Sequence, residues 1–343
     1  MTGTSWPAPT EGDFFIKDFH FSAGGSLPEL RIHYRTLGNL QRDENGRARN
    51  AVLIKHGTGG NGANFLNEIF AGELFIPEGL LDTSKYFIVL SDGIGHGQSS
   101  KPSNTGLHAK FPRYGYNDMV LADYKLLTQG LEVDHLRLVM GTSMGGMHTW
   151  LWGEAYPDFM DALMPLASLP MQISGRNRMF RKMIIDTIRM DPDWKEGEYI
   201  SQPRQGLTTA LNVLTFMSSI PLQWQKEAPD RDSADAFLDK RISAALKDTD
   251  ANDLLYNVDA SYDYDPWSKL GAITAPLIAV NSADDQVNPP ELGILEDGIQ
   301  KVVDGRAVVL PISDATRGHG SHTWAVLWKD LLKELLDKSE LLL

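Results

Sequence analysis

Residues 138–147, Leu-Val-Met-Gly-Thr-Ser-Met-Gly-Gly-Met, constrain this chain most, because they join a strand pattern to a helix pattern through Gly-x-Ser-x-Gly. A serine at the sharp turn between a strand and a helix is the sequence form of a nucleophile elbow. Glycines two residues on either side of Ser143 allow the strand and the helix to approach closely. The turn also directs the next backbone N–H, that of Met144, towards a developing oxyanion. The pattern therefore predicts a serine nucleophile at Ser143.

Short apolar runs alternate with helical patterns along much of the chain. Runs typical of buried parallel strands lie at residues 51–55, 86–90, 136–140, 162–167, 275–282 and 306–310. Alternating segments at 14–21 and 30–34 indicate two antiparallel strands, and residues 1–13 are expected to be an irregular leader. An apolar i, i+3, i+4 pattern over residues 324–335 predicts a closing helix. The succession predicts an α/β fold with a doubly wound, mostly parallel sheet.

Residues 170–258 interrupt this alternation. Helical patterns at 179–190, 207–217 and 234–246 are separated by proline-containing breaks, and strand-like runs are absent. A helical segment inserted between two strands predicts a cap, or lid, over the carboxyl edge of the sheet. The predicted division is a core of residues 1–169 and 259–343 with this cap between its two parts. Four apolar cap residues are candidates for the lining of a substrate tunnel or for ordinary core packing: Ile173, Met179, Met183 and Met217.

Composition argues against several partners and chemistries. The 343 residues carry a formal net charge of −13, which disfavours nucleic acid and an anionic membrane surface as partners. The chain has no cysteine, so disulfides, thiolate metal sites and a cysteine nucleophile are excluded. No apolar run reaches the ~18 residues that a membrane helix requires, and no secretory pattern is recognisable at the amino terminus. These features favour a cytoplasmic protein.

A glycine-rich loop follows the strand predicted at residues 51–55. From Gly57 onwards it has the Gly-x-Gly-x-x-Gly spacing of a dinucleotide-binding fingerprint. That fingerprint requires a helix directly after the loop and an acidic residue about 20 positions further on, whereas the next strand ends at Asp92. The loop is better interpreted as an oxyanion loop, in which the N–H of Thr58 is the second donor beside that of Met144.

A serine hydroxyl stays protonated near neutral pH, so it needs a base to take its proton and an acid to orient that base. On a sheet of this kind the chain order is serine, acid and histidine, each on a loop after a strand. Ser143, Asp285 and His319 satisfy this order. Two alternatives stay open, because Asp284 adjoins Asp285 and His322 lies in the same loop as His319. The chemistry predicted for such a triad requires no metal and no other cofactor.

Further segments resemble those of a known family. Besides residues 141–147, they are Phe111-Pro112, Asp191-Pro192-Asp193-Trp194, Gly197-Glu198-Tyr199 and Asp253-Leu254-Leu255-Tyr256. Over residues 50–330 the chain resembles the homoserine O-acetyltransferase-like branch of the α/β-hydrolase superfamily. The resemblance implies the α/β-hydrolase fold with a helical cap, Asp285 as the acid and His319 as the base. It adds the expectation of a homodimer that pairs through the cap.

The chain differs from this branch at two places that affect which reaction is predicted for it. The loop at residues 92–102 contains Gly-His-Gly-Gln-Ser, as in ordinary hydrolases of the superfamily, and its His96 is interpreted as a structural residue. Leu211 stands where the transferases tend to place an arginine for an amino-acid carboxylate, and leucine cannot pair with a carboxylate.

The predicted function is therefore hydrolysis of a small-molecule carboxylic ester through an acyl-enzyme. The alternative is an O-acyltransferase that moves an acetyl or acyl group from acyl-CoA to an alcohol. A catalytically silent fold used for ligand binding is disfavoured, because all three residue types of the triad are present.

Overall fold

The structure is a computed structural model that describes residues 6–340. Its frame is a sheet of eight strands. The strands are β1 (Thr10–His20), β2 (Ser26–Leu37), β3 (Ala51–Lys55), β4 (Phe87–Ser91), β5 (Leu138–Thr142), β6 (Leu163–Leu166), β7 (Leu277–Ser282) and β8 (Gly305–Leu310). They lie side by side in the order β1-β2-β4-β3-β5-β6-β7-β8. The expectation of a doubly wound sheet is confirmed.

The strands from β3 onwards run parallel, and β1 and β2 form the predicted antiparallel pair at one edge. β3 lies between β4 and β5, with Ile54 opposite Met140 and Lys55 opposite Gly141. This register brings the carboxyl ends of β3 and β5 together at the point where the strand order reverses. In sheets of this kind, ligands bind at such a switch point.

Ten α-helices accompany the sheet in the described part of the chain. They are α1 (Ala71–Leu74), α2 (Tyr116–Lys125), α3 (Met144–Ala155), α4 (Gly175–Met190), α5 (Arg204–Met217), α6 (Pro221–Glu227), α7 (Arg231–Asp248), α8 (Ala251–Asp259), α9 (Ile294–Ile299) and α10 (Lys329–Glu340). Residues of α2, α3 and α9 pack on one face of the sheet, and residues of α1 and α10 pack on the other. Within residues 6–340, no helix has the length and apolarity needed to cross a membrane.

The helices α4–α8 follow one another between β6 and β7, and we call residues 170–258 the helical insertion. It has a hydrophobic cluster of its own, to which Phe180, Ile184 and Leu207 belong. A buried hydrogen bond from the Tyr114 hydroxyl to Asn257 Oδ1, 2.9 Å long, ties the insertion to the sheet domain. The division into core and cap stays a prediction, and its outer ends, residues 1–5 and 341–343, lie outside the described residues.

Two expectations about the ends of the chain were wrong. Part of the predicted leader lies outside the described residues, but β1 already begins at Thr10. The closing helix α10 begins only at Lys329, because the preceding segment bonds to tertiary partners in 3₁₀ turns. The Ala325 N–H donates to the Ile69 carbonyl at 3.0 Å, and the Trp328 indole donates to the His322 carbonyl at 3.1 Å.

Candidate active site

Ser143 lies at the sharp turn between β5 and α3. Its φ of 56° and ψ of −112° form a conformation that non-glycine residues rarely adopt. A Cβ atom added at Gly141 would lie 2.2 Å from the Gly145 carbonyl oxygen, and one added at Gly145 would lie 2.0 Å from the Lys55 carbonyl oxygen. Glycine is therefore required at both positions, and the predicted close approach of strand and helix is confirmed.

Three side chains from three loops form one hydrogen-bonded chain. His319 Nε2 lies 2.8 Å from Ser143 Oγ, and His319 Nδ1 lies 2.8 Å from Asp285 Oδ2. Both distances are those of well-formed hydrogen bonds. Because a carboxylate can only accept, Nδ1 carries the ring proton, and Nε2 is left as the acceptor for the serine hydroxyl.

The carboxyl group of Asp285 is buried and fully hydrogen-bonded. Its Oδ1 accepts the backbone N–H groups of Val287 at 2.8 Å and Asn288 at 3.0 Å, which leaves Oδ2 for His319. Burial by itself would raise the pKa of this carboxyl. The charge of His319 and the three hydrogen bonds together outweigh burial, so the pKa of Asp285 lies below its ordinary value. The group that orients the histidine is therefore an ionised carboxylate.

The neighbouring acid and histidine have other partners. Asp284 Oδ2 accepts the Gly318 N–H at 3.0 Å, so this carboxylate holds the histidine loop through its backbone. His322 Nδ1 donates to the His319 carbonyl. Burial, with a smaller contribution from the charge of His319, lowers the pKa of His322 to about 3. Neither side chain is hydrogen-bonded to the hydroxyl of Ser143.

Two backbone N–H groups flank the serine. Met144 is the first residue of α3, so its N–H has no acceptor within the helix. Thr58 lines the same cavity as Ser143 and His319. Gly57, beside it, lies so close that a Cβ added there would be 3.4 Å from Ser143 Cβ. Both residues therefore lie beside the serine, and the role of their N–H groups in an oxyanion hole stays a prediction.

His56 fixes the peptide unit that carries the Thr58 N–H, a feature that sequence reasoning missed. Its Nε2 accepts the Gly93 N–H at 2.9 Å, so its Nδ1 carries the proton and donates to the Gly57 carbonyl at 2.8 Å. That carbonyl and the Thr58 N–H point in opposite directions from one planar peptide. Burial, followed by the charge of Lys55, lowers the pKa of His56 to about 3, so the ring is neutral. The histidine directly before the glycine-rich loop was the signal available in the sequence.

The glycine-rich loop after β4 lies behind this peptide. Its Asp92 carboxylate accepts the N–H groups of Gly62 at 2.8 Å and Gln98 at 2.9 Å. His96 is buried, and its ring bonds to the Ile94 carbonyl at 2.9 Å, in agreement with a structural role. Gly62 opens only a four-residue 3₁₀ helix. The dinucleotide alternative therefore lacks the helix that it needs.

Comparison with known proteins agrees with the fold and the motifs. Residues 50–302, most of the chain, match the family model described as alpha/beta hydrolase fold. The chain belongs to the α/β-hydrolase superfamily. This α/β hydrolase is 29% identical over 279 residues to a probable acyltransferase of Methanothermobacter thermautotrophicus, with 81% of this chain and 84% of the relative covered.

A second relative points to the branch that the motifs indicated. The chain is 31% identical over 306 residues to homoserine O-acetyltransferase of Pelobacter propionicus, with 78% of this chain and 80% of the relative covered. Among solved structures, an acetylester hydrolase from Corynebacterium glutamicum superimposes with a TM-score of 0.83 at 23% identity, covering 96% of each chain. The resemblance to the homoserine O-acetyltransferase-like branch is confirmed, and the solved structure shows the same fold.

A cavity of about 250 Å³ opens at the serine of this α/β hydrolase. The insertion supplies much of its wall, including the apolar side chains of Phe180, Leu214 and Met217. Polar side chains in the wall include those of Thr58, Arg181 and His322. The volume lies below the ~300–1,000 Å³ of typical small-molecule sites, so the cavity fits a small substrate.

The four apolar residues considered for the lining of a tunnel lie in different surroundings. Met217 lines the cavity at the serine. Met179 and Met183 are instead 61% and 56% exposed on α4, and Ile173 is partly buried against the core cluster that contains α2, α3 and α9 residues. Of the four, only Met217 lines the cavity at the serine, and the substrate tunnel itself stays a prediction. Among residues 6–340, no cluster of three or more His, Asp or Glu side chains is placed to hold a metal ion.

Proposed function

We propose that this protein is a carboxylic ester hydrolase that works through an acyl-enzyme on Ser143. The observation that carries the proposal is the chain of hydrogen bonds from Asp285 through His319 to the serine hydroxyl, each 2.8 Å long. His319 Nε2 takes the hydroxyl proton while Ser143 Oγ attacks the ester carbonyl. Asp285 keeps the imidazole in the required tautomer and stabilises the imidazolium that forms.

The remaining steps follow from the same atoms. The N–H groups of Thr58 and Met144 stabilise the oxyanion of the tetrahedral intermediate. As it collapses, the bond to the alcohol breaks and His319 gives its proton to the departing oxygen. A water molecule then loses a proton to His319, attacks the acyl carbonyl and releases the carboxylic acid, and the proton returns to Ser143.

Water, rather than an alcohol, is the proposed acceptor of the acyl group. The resemblance places an arginine for the acceptor's carboxylate at the position of Leu211, and Leu211 is buried in the hydrophobic cluster of the insertion. A leucine in these surroundings offers no partner to a charged acceptor.

The second candidate function is O-acyl transfer from acyl-CoA to an alcohol. It is favoured by the 31% identity to the homoserine O-acetyltransferase of Pelobacter propionicus. Both reactions share every step up to the acyl-enzyme, and they differ in whether water reaches that intermediate. In either case we propose that residues 170–258 act as the cap of the site. We also propose that two chains pair through these residues, and sedimentation of the purified protein tests whether it is a dimer.

The experiment is single-turnover hydrolysis of 4-nitrophenyl acetate, with and without homoserine or another short alcohol. We expect rapid release of acetate at a rate that the alcohol leaves unchanged. Ser143→Ala abolishes this release, and Ser201→Ala, which alters an exposed serine of the insertion, retains it. An acyl-enzyme that persists until an alcohol removes it would establish the transferase instead. If a fluorophosphonate fails to label Ser143, neither reaction stands.

A further inference from the structure

Arg181 brings a buried positive charge to the wall of the cavity at Ser143. The residue lies on α4 and is 3% exposed. Its Nε donates to Asn177 Oδ1 at 3.0 Å, and its Nη1 donates to the Val258 carbonyl and the Ser261 hydroxyl at 3.3 Å each. Its Nη2 donates to no atom of residues 6–340. The two N–H groups of Nη2 are thus left without an acceptor.

The acceptors around Arg181 are all uncharged. Within residues 6–340, no carboxylate oxygen lies within 4.0 Å of its guanidinium nitrogens. Arg35, which is also buried, pairs with both Glu11 and Asp92. Among the described residues that line the cavity there is no lysine, aspartate or glutamate, and Arg181 is the only arginine. Its charge therefore acts on the contents of the cavity without an opposing carboxylate beside it.

A second buried arginine shows what a purely structural guanidinium looks like in this fold. Arg137 Nη1 donates to the Ser339 hydroxyl and its Nη2 donates to the Leu336 carbonyl, both at 2.7 Å. Both terminal nitrogens are thus used at the carboxyl end of α10, where a positive charge is favourable. Arg181 differs in having a terminal nitrogen without an acceptor and in lining the cavity of the serine.

A buried charge without a counter-ion is costly, and a bound carboxylate offsets part of that cost. The two N–H groups of Nη2, which have no acceptor among the described residues, can donate to a carboxylate oxygen, and a hydrogen bond between two charged groups is stronger than one between neutral groups. The apolar walls of the cavity strengthen the attraction, because they lower the local dielectric constant.

We infer that the ester hydrolysed at Ser143 carries a carboxylate of its own, which Arg181 binds. The inference rests on the proposed function, since it assumes an ester at the serine. The resemblance places the transferases' arginine at the position of Leu211, whereas Arg181 lies on α4. The carboxylate is thus bound from a different position in the fold. A cavity of about 250 Å³ has room for a small acidic ester.

The test compares esters that differ only in charge. One pair, 3-acetoxypropanoate and 3-acetoxypropanamide, has the carboxylate or its neutral amide in the alcohol part. The other pair, monoethyl succinate and ethyl succinamate, has it in the acyl part. In at least one pair, we expect the wild-type kcat/KM to be about 10- to 100-fold higher for the carboxylate. Arg181→Met removes most of this preference, and Arg181→Lys retains part of it.

The ratio within a pair separates binding from a structural role, because Arg181 also ties α4 to the end of α8. A structural defect lowers kcat/KM for both members of a pair and leaves their ratio intact. The control is Arg189→Met, which removes the same charge from an exposed position about two turns along the same helix. It is expected to retain the wild-type ratio.

A wild-type ratio near one in both pairs, or an unchanged ratio in Arg181→Met, would overturn the inference. If Arg181→Met does not fold, inhibition of the wild type decides, since succinate should compete with 4-nitrophenyl acetate about tenfold better than succinamide does. Equal inhibition would also overturn it. Turnover of 4-nitrophenyl acetate, which is uncharged, reports on the hydrolase alone, so its absence would refute the proposed function itself.

Discussion

Asp285→Asn removes the charge that orients His319 while it preserves the shape of the side chain. The Oδ1 atom of Asp285 accepts two backbone N–H groups, from Val287 at 2.8 Å and Asn288 at 3.0 Å. Asparagine has a single acceptor oxygen, and these two donors hold it at that position. Its NH₂ group is then turned towards His319 Nδ1 and must donate to it.

This donation reverses the tautomer of the imidazole. A ring that accepts at Nδ1 carries its proton on Nε2, where it cannot take the proton of Ser143. The same change in a serine protease lowers kcat about 10⁴-fold, which equals about 5.4 kcal/mol at 1.36 kcal/mol for each factor of ten. We therefore expect Asp285→Asn to lower kcat by about 10³- to 10⁴-fold. KM should change little, because the carboxylate lies behind the histidine and does not line the cavity.

The assay is stopped-flow hydrolysis of 4-nitrophenyl acetate, with thermal unfolding to check that the variant is folded. Asp284→Asn is the matched control, because its carboxylate accepts the Gly318 N–H and not a ring nitrogen. Its kcat should fall by less than about tenfold. A larger loss in Asp284→Asn than in Asp285→Asn, or a loss below tenfold in Asp285→Asn, would refute the assignment of the acid and the tautomer argument with it.

Three further outcomes are expected. Lys55→Met leaves the carboxylate of Asp123, 2.8 Å away and 2% exposed, buried without its countercharge. The free energy of unfolding in urea should fall by about 3–5 kcal/mol, and a loss below about 1 kcal/mol would contradict this. His56→Ala frees the peptide between Gly57 and Thr58, whose N–H is the proposed oxyanion donor, so kcat should fall about 10- to 100-fold with KM nearly constant; a change confined to KM would argue against a positioning role for His56. Burial, then the charge of His56, lowers the pKa of His96 to about 3 in the folded chain, whereas the unfolded chain binds this proton below about pH 6.5. Stability is therefore lost as pH falls from about 6.5 towards 3, by about 2–3 kcal/mol for this group at about pH 4.5. His96→Asn should reduce this pH dependence in urea titrations, and His20→Asn, at an exposed position, should not.

The elements closest to the site could be predicted from short stretches of sequence. The strand at Ala51–Lys55 has the predicted bounds, and the elbow at Ser143 has the strand, turn and helix that its pattern indicates. These features are local: an apolar run of strand length and glycines two residues from a serine restrict the backbone wherever they occur. The superfamily could be predicted for the same reason, since its motifs are contiguous.

The hydrogen-bond partners of the candidate site residues could not be predicted from neighbouring sequence, because these residues are far apart in the chain. Ser143 and His319 are 176 positions apart, and His319 and Asp285 are 34 apart. Asp284 and Asp285 are chemically identical and adjacent, so only the path of the loop decides which of them faces the histidine. The tertiary structure turns Asp284 towards a backbone N–H and Asp285 towards the imidazole.

The sequence by itself determined the sheet, the elbow and the three residue types of the candidate triad, because each depends on a pattern within a few residues. Only the tertiary structure decided that His56 holds the peptide between Gly57 and Thr58, that Leu211 lies in an apolar cluster, and that Arg181 lines the cavity of the serine. The physical reason is that charge and hydrogen bonding act over distances in space. The sequence around Arg181 does not show that packing leaves its guanidinium without a carboxylate within 4.0 Å, because its neighbours come from separate parts of the chain.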